Sequence, residues 1–310
     1  MYKQLFVAVV VPAYNESRLV GRTLRGIPDL VDAIVVIDDA STDETSAAVL
    51  AIDDPRVHLI RHETNTGVGG AICDGHRWAL DKGADVCVVM NGDDQMDARH
   101  LPALLDPIAD DGIGFTKANR FGHLAALSAM PLMRLLGNVA LSFMTKLASG
   151  YWNLFDPQNG YTAVHRSALE RIDLARLQRG YAFENDLLIT LNIVGVRARD
   201  VPLPAIYGDE VSSLRIHREA PRLAALLFRG FWRRMILKYV FPSFSAIALL
   251  FFSGVALCTF GLVVGGYAIV DSLGPKAATA GTVLLAVAPM LTGIHLLVQA
   301  LVLDMSEGAR

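Results

Sequence analysis

The chain has no G-x-x-x-x-G-K-S/T segment, so a phosphate-cradling P-loop is excluded. Its 3 cysteines, Cys73, Cys87 and Cys258, show no paired or metal-like spacing. That excludes a disulfide framework and a thiolate metal site, and suits a reducing compartment. Positive charge is not in excess: 28 Lys and Arg stand against 31 Asp and Glu, a formal net charge of −3, so nucleic acid is not an expected partner. The N-terminal MYKQLFVAVVVPAYNE is apolar only briefly and runs straight into polar residues, so no cleaved leader is expected. The most informative lack is local. No Asp, Glu, Lys or Arg occurs from Ser243 to Val270, or from Ala277 to Leu303.

Each of these runs exceeds the roughly 20 helical residues that cross a bilayer core. The DSLGPK between them is short enough only for a turn. A transmembrane helical hairpin with both ends on one side is therefore expected, in preference to a buried hairpin of a soluble core. Residues 215–310 carry nine Lys and Arg against four acids, and seven of the nine lie between Arg215 and Lys238. By the positive-inside rule that flank faces the cytoplasm. The N-terminal region and the tail are then expected on the cytoplasmic face of the inner membrane. APRLAALLFRGFWRRMILKYVF has Leu, Phe and Trp at helical spacing among Arg and Lys, the pattern of an interfacial helix drawn to anionic headgroups. The expected organisation is a catalytic domain over 1–214, a basic juxtamembrane segment over 215–242, the hairpin over 243–304 and a tail over 305–310. His295 and Gln299, four apart, share a helix face and are expected to pair with the other span.

The N-terminal region alternates in period. LFVAVVVP, AIVVIDD, VHLIRH and DVCVVMNGDD read as buried strands. ESRLVGRTLRGI, STDETSAAVLAI and GVGGAICDGHRWALDKG read as helices between them. Ser41 with Glu44 three residues on predicts a capping box, and Gly83 a helix C-terminal cap. Such alternation predicts an α/β fold with a parallel sheet covered on both faces, its ligands beyond the C-terminal strand ends. The strand ends carry PAYNE, DDASTD and NGDDQMD, so polar clusters converge on one edge. Gly67, Gly69, Gly70 and Gly75 miss the G-x-G-x-x-G spacing and are expected to permit close helix–sheet packing near a nucleotide.

In VCVVMNGDDQMD an apolar strand ends in Asn91, Asp93 and Gln95, an oxygen-only set suited to Mg2+ or Mn2+. A cation held this way keeps open positions for substrate phosphates and stabilises a leaving diphosphate. Asp38 or Asp39, on the same edge, is a candidate for binding a ribose or base.

VVVPAYNE, VVIDDASTDET, NTGVGGA, MNGDDQMD and DPQNGYTA together resemble glycosyltransferase family 2, with its GT-A, Rossmann-like nucleotide-sugar fold. A catalytic domain followed by two spans is similar to the polyprenyl-phosphate glycosyltransferases, the dolichol-phosphate mannose synthase-like enzymes. The resemblance implies a nucleotide-sugar donor, a polyprenyl phosphate acceptor, a membrane location, and Mg2+ or Mn2+ as cofactor; a homo-oligomer is compatible with it.

Carried over by position, the resemblance implies that Pro12, Tyr14, Glu16, Asp38 and Asp39 contact the nucleotide. It implies that Asn91, Asp93 and Gln95 hold the metal, with Asn91 standing where the family has Asp and Asp94 a candidate to compensate. Arg120 and Arg134 match positions that hold the acceptor phosphate, for which a guanidinium offers two parallel hydrogen bonds; Lys117 is a lesser candidate. Asp156 in the DPQNG segment would line the sugar site, and is the first catalytic candidate beside Asp93, Glu184 and Asp186. A phosphate oxyanion is already ionised at neutral pH, so Glu184 and Asp186 are expected to position groups more than to abstract a proton. Tyr207 and Ser213 stand where relatives grip the diphosphate with basic residues, which makes Arg215 a candidate substitute. Two alternatives stay open: a transferase acting on a saccharide hydroxyl, and a non-catalytic membrane scaffold.

Overall fold

The computed structural model describes residues 1–119, 132–155, 159–204, 216–241, 243–273 and 278–308, without the side chains of 132–136, 138 and 216–220. Its contacts divide into two compact units, Met1–Phe231 and Trp232–Arg310.

The first unit opens as the apolar periodicity dictates, with β1 (Val7–Ala13), α1 (Val20–Gly26), β2 (Ala33–Asp38), α2 (Thr45–Leu50), β3 (Val57–Arg61), α3 (Val68–Asp81) and β4 (Val86–Val89). There follow α4 (Leu101–Asp111), β5 (Phe115–Asn119), α5 (Leu132–Ser149), β6 (Thr162–His165), α6 (Arg166–Leu169), α7 (Phe183–Ile193), β7 (Ala198–Pro202) and α8 (Ile216–Arg234), whose last three residues belong to the second unit. One seven-stranded sheet runs β3-β2-β1-β4-β6-β5-β7. Every residue of β1 and β2 is buried, as β-branched strands covered on both faces must be. Val7, Val9 and Val11 pack with Leu24, Leu101 and Leu104 on one face. On the other, Ala8 packs with Ile72, Phe183 and Leu187.

The sheet is mixed rather than all parallel. β1, β2, β3 and β4 are mutually parallel, but β6 runs antiparallel to both β4 and β5. Its four-residue apolar stretch TAVH reads alike in either direction, so the reversal has no local signature. The reversal brings the start of β6 to the edge where β1, β2 and β4 end.

Two local expectations resolve differently. Gly83 has φ 86 and closes α3 as predicted. The capping box does not form. Ser41 Oγ instead accepts from the Asn15 amide, and α2 starts at Thr45, whose amide donates to Asp43. The chain after β1 thus claims the hydroxyl that the helix would have used.

The second unit holds a π-helical turn (Met235–Val240) and two long helices, α9 (Ala246–Ser272) and α10 (Ala280–Gly308). Both are long and apolar enough to cross a membrane. α10 runs past the uncharged stretch, through Asp304, where the sequence predicts that the span ends. Asp304 is buried and takes a paired contact from Arg234, at 2.6 and 3.0 Å, and a 2.5 Å hydrogen bond from Tyr239. His295 and Gln299 are exposed on α10 and do not pair between the spans. Small residues occupy the interface instead: a Cβ on Gly254 would lie 2.9 Å from the Gly293 carbonyl, so only glycine allows this approach.

Candidate active site

Three loops meet at the C-terminal ends of β1, β2 and β4. After β1, Pro12 is buried and Tyr14 stands 49% exposed at the edge, while the Glu16 amide donates to Thr45 Oγ1. After β2, Asp38 and Asp39 are both buried. Asp38 accepts from the Ser41 amide and the Ser46 hydroxyl, which shapes its own loop.

Asp39 reaches further. One oxygen accepts from His62 Nδ1 at 2.7 Å, from the Thr66 amide and from the Thr66 hydroxyl, and the other from the Gly67 amide. Burial pushes its pKa up, but these donors outweigh it and hold the carboxyl below its ordinary range. Asp39 thereby fixes the turn that starts α3.

The glycines of that turn meet a second loop. The Gly69 and Gly70 amides donate to the Arg179 carbonyl, and a Cβ on Gly69 would lie 2.4 Å from the Gln178 carbonyl. Gly67 has φ 85, the left-handed region that glycine adopts freely. Gly75 performs the helix–sheet packing expected of it, since a Cβ there would sit 2.2 Å from Val10 Cγ1. The Gln178 amide in turn donates to the buried Asp186 at 3.0 Å. Asp186 therefore holds a loop. Sequence reasoning missed residues 178–180 as part of the site. The only signal was the run of glycines that needs a backbone to lie against.

The acidic cluster sits after β4. The Gly92 amide donates to the Pro12 carbonyl, which draws the turn against the end of β1. Asp93 accepts from the Gln95 amide at 3.1 Å. Burial is the main influence on Asp93 and pushes its pKa up. Asp94 does not compensate for Asn91. It adopts φ 60, its amide donates to Thr23, and its carboxylate turns to Arg22 at 3.3 Å. The remaining donors, one carboxylate in Asp93 and the amide oxygens of Asn91 and Gln95, form a hard-oxygen set that fits Mg2+ or Mn2+. A bound cation would also offset the burial of Asp93.

Opposite Asn91 lies Gly160, where a Cβ would be 3.7 Å from the Asn91 side chain. This brings the start of β6 to the acidic turn. Glu184, in the first turn of α7, is held above its ordinary pKa by burial, an effect partly opposed by the charge of Lys117. Lys117 itself is fully buried and donates to the Asn159 carbonyl, so it does not serve as an exposed phosphate contact. Arg120, Asp156 and Arg215 lie outside the described residues, as does the side chain of Arg134.

Residues 8–173 match the family model "Glycosyl transferase family 2". An undecaprenyl-phosphate mannosyltransferase of Micrococcus luteus is 33% identical over 204 residues, 64% of this chain and 82% of its own. A polyprenol monophosphomannose synthase of Mycolicibacterium smegmatis is 32% identical over 203 residues, 63% of this chain and 75% of its own. A UDP-N-acetylglucosamine–dolichyl-phosphate N-acetylglucosaminyltransferase of Methanococcus voltae is 28% identical over 218 residues, 66% of this chain and 86% of its own. Among solved structures, glucosyl-3-phosphoglycerate synthase of Mycobacterium tuberculosis with Mn2+ and UDP-glucose superposes with a TM-score of 0.54. It is 22% identical, and the match covers 74% of this chain and 79% of that one, a likeness of fold. The mixed sheet with its acidic edge is thus a GT-A fold, and the chain belongs to glycosyltransferase family 2 as a glycosyltransferase.

Proposed function

We propose that the protein moves one sugar from a UDP- or GDP-sugar to a polyprenyl phosphate, with inversion, at the cytoplasmic leaflet of the membrane that its two C-terminal helices cross. The observation that carries this reading is the pairing of a hard-oxygen strand end at Asn91, Asp93 and Gln95 with two membrane-length apolar helices in one chain. Three relatives named for polyprenyl or dolichyl phosphate acceptors support it.

In this reading Tyr14 and the loops fixed by Asp38 and Asp39 receive the nucleotide. Asp93, Asn91 and Gln95 would hold Mg2+ or Mn2+, which neutralises charge on the leaving diphosphate. The acceptor phosphate oxygen attacks the anomeric carbon from the opposite face, and the bond to the nucleoside diphosphate breaks. Arg120 and Arg134 are assigned to the acceptor phosphate, Asp156 to the sugar, and Arg215 to the donor phosphates. Asp186 positions the 178–180 loop. No base is required, because the nucleophile is already an anion.

The half-buried Glu184 favours one second reading: its raised pKa suits a general base for a saccharide hydroxyl. One experiment separates the two. Purified full-length protein in detergent is given undecaprenyl phosphate, Mg2+ or Mn2+, and a panel of UDP- and GDP-sugars, and the lipid extract is read by mass spectrometry. A metal-dependent gain of one sugar mass on the lipid is expected. Nucleoside diphosphate release only with a saccharide acceptor would replace the first reading by the second.

A further inference from the structure

The turn NGDDQMD holds one apolar side chain among its acids and amides, that of Met96. It is half-buried and packs against the apolar cluster that contains Val11 and Met90. Its sulfur has a partner that a core methionine does not need.

The partner follows from how the sheet ends. Backbone amides along β4 and the turn after it alternate in direction. Those of Met90 and Gly92 donate to the Val10 and Pro12 carbonyls of β1. The Asn91 amide, between them, faces the other side, where β6 pairs with β4 as far as Val89 against Thr162. Continued in that register, the pairing would set Asn91 against Gly160. Instead the Asn91 amide donates to Met96 Sδ at 3.3 Å. The Met96 methyl lies against Gly160, where a Cβ would stand 3.4 Å from Cε and 3.7 Å from the Asn91 side chain.

Met96 therefore fills the place of a strand partner at the end of the sheet. A thioether is a weak acceptor, but its unbranched chain fits a gap of irregular shape. A second tie fixes where that chain starts: the buried Tyr161, next to Gly160, donates its hydroxyl to the Asp97 carbonyl at 3.1 Å. Both ties join segment 91–97 to the start of β6.

What Met96 holds is the main chain of a candidate metal ligand. The Asn91 side chain hydrogen-bonds Asp93, and the Gln95 amide closes the turn on the same carboxylate. Losing a group that orients a ligand from behind typically weakens metal binding by about 10- to 100-fold.

We propose that Met96 is a positioning residue for the divalent metal: its thioether, seated on Gly160, fixes the Asn91 main chain beside Asp93, so that one cation draws on both residues. The inference rests on the metal-dependent transferase reading given above and adds a residue to it.

The test uses full-length protein in detergent and the variant Met96→Leu, which nearly keeps the volume and removes the acceptor. Mn2+ binding is read from the electron paramagnetic resonance signal of the free ion, and Asp93→Ala measures the Mn2+ held elsewhere. Met96→Leu should bind Mn2+ about 10-fold more weakly than wild type. The Mn2+ concentration that gives half the maximal rate of lipid-product formation should rise by a similar factor. The unfolding midpoint without metal should stay within about 5 °C of wild type, as it does for volume-conserving swaps.

Wild-type Mn2+ affinity in Met96→Leu overturns the proposal, and a lower midpoint beside it would mark a merely structural contact. If Met96→Leu does not fold, Gly160→Ala decides. Crowding the Met96 methyl should then weaken Mn2+ binding by about threefold or more, and an unchanged affinity overturns the proposal. A wild type that binds no more Mn2+ than Asp93→Ala overturns the metal site and the proposal together. If Mn2+ binds as expected but no lipid product forms, the acceptor reading fails by itself, and the affinity ratio still decides the role of Met96.

Discussion

The two units handle buried carboxylates in opposite ways. In the first, Asp38, Asp39 and Asp186 receive backbone amides: Ser41 on Asp38, Thr66 and Gly67 on Asp39, and Gln178 on Asp186. In the second, Asp304 receives the Arg234 guanidinium and the Tyr239 hydroxyl. Amide donors come from loops, so the acids of the first unit fix the shape of loops. A guanidinium sits on a long side chain, so the acid of the second unit joins one helix end to another. The first arrangement shapes loops, and the second fastens a hairpin.

Breaking each arrangement should show the difference. The largest effect is expected in the hairpin. Asp304→Ala leaves Arg234 buried without its carboxylate and should cost about 3–5 kcal/mol, whereas Arg234→Met with Asp304→Leu should cost far less. Unfolding midpoints in detergent compare the two variants. Next comes Gly75→Ala, which drives a Cβ to within 2.2 Å of Val10 Cγ1 and should cost about 1–3 kcal/mol through overpacking. Denaturant titration of the first unit's signal measures it.

Asp39→Asn should cost about 1–2 kcal/mol at pH 7, since the amide cannot satisfy four donors as the carboxylate does. Its sign with pH follows from the lowered pKa of Asp39. A carboxyl held below its unfolded value contributes its stability above that value, and loses it as pH falls through the folded pKa. The gap between wild type and Asp39→Asn should therefore be constant near neutrality and close below about pH 4. A gap that widened in acid would contradict the network. Asp186→Asn is expected to be the mildest, about 1 kcal/mol or less, because an amide oxygen still accepts from Gln178. Exchange of the Gln178 amide accelerated by much more than about fivefold in the variant would contradict this.

Most of the first four strands and their polar ends were legible, because long β-branched runs admit few other structures and strand direction follows from the crossovers. Asn91, Asp93 and Gln95 were legible for the same reason, as oxygen donors at the end of an apolar strand. What escaped depended on distant partners. Four residues of β6 carry no mark of direction. Ser41 was taken by Asn15, twenty-six positions away. Asp304 would end a span by itself, but Arg234, seventy positions earlier, lets the helix continue. Lys117 reads as a lesser phosphate candidate until its burial and the distant Asn159 carbonyl are set beside it.

The central claim is that the edge at Asp93 is where the nucleotide-sugar is activated. Its most direct test is the rate of nucleoside diphosphate release by wild type and by Asp93→Ala, with Mn2+, the preferred nucleotide-sugar and undecaprenyl phosphate. The account predicts a loss on the order of 1,000-fold, equal to about 4 kcal/mol of transition-state stabilisation, with an unfolding midpoint no lower than wild type because a half-buried carboxylate disfavoured by desolvation has been removed. A variant that keeps the wild-type rate would contradict it.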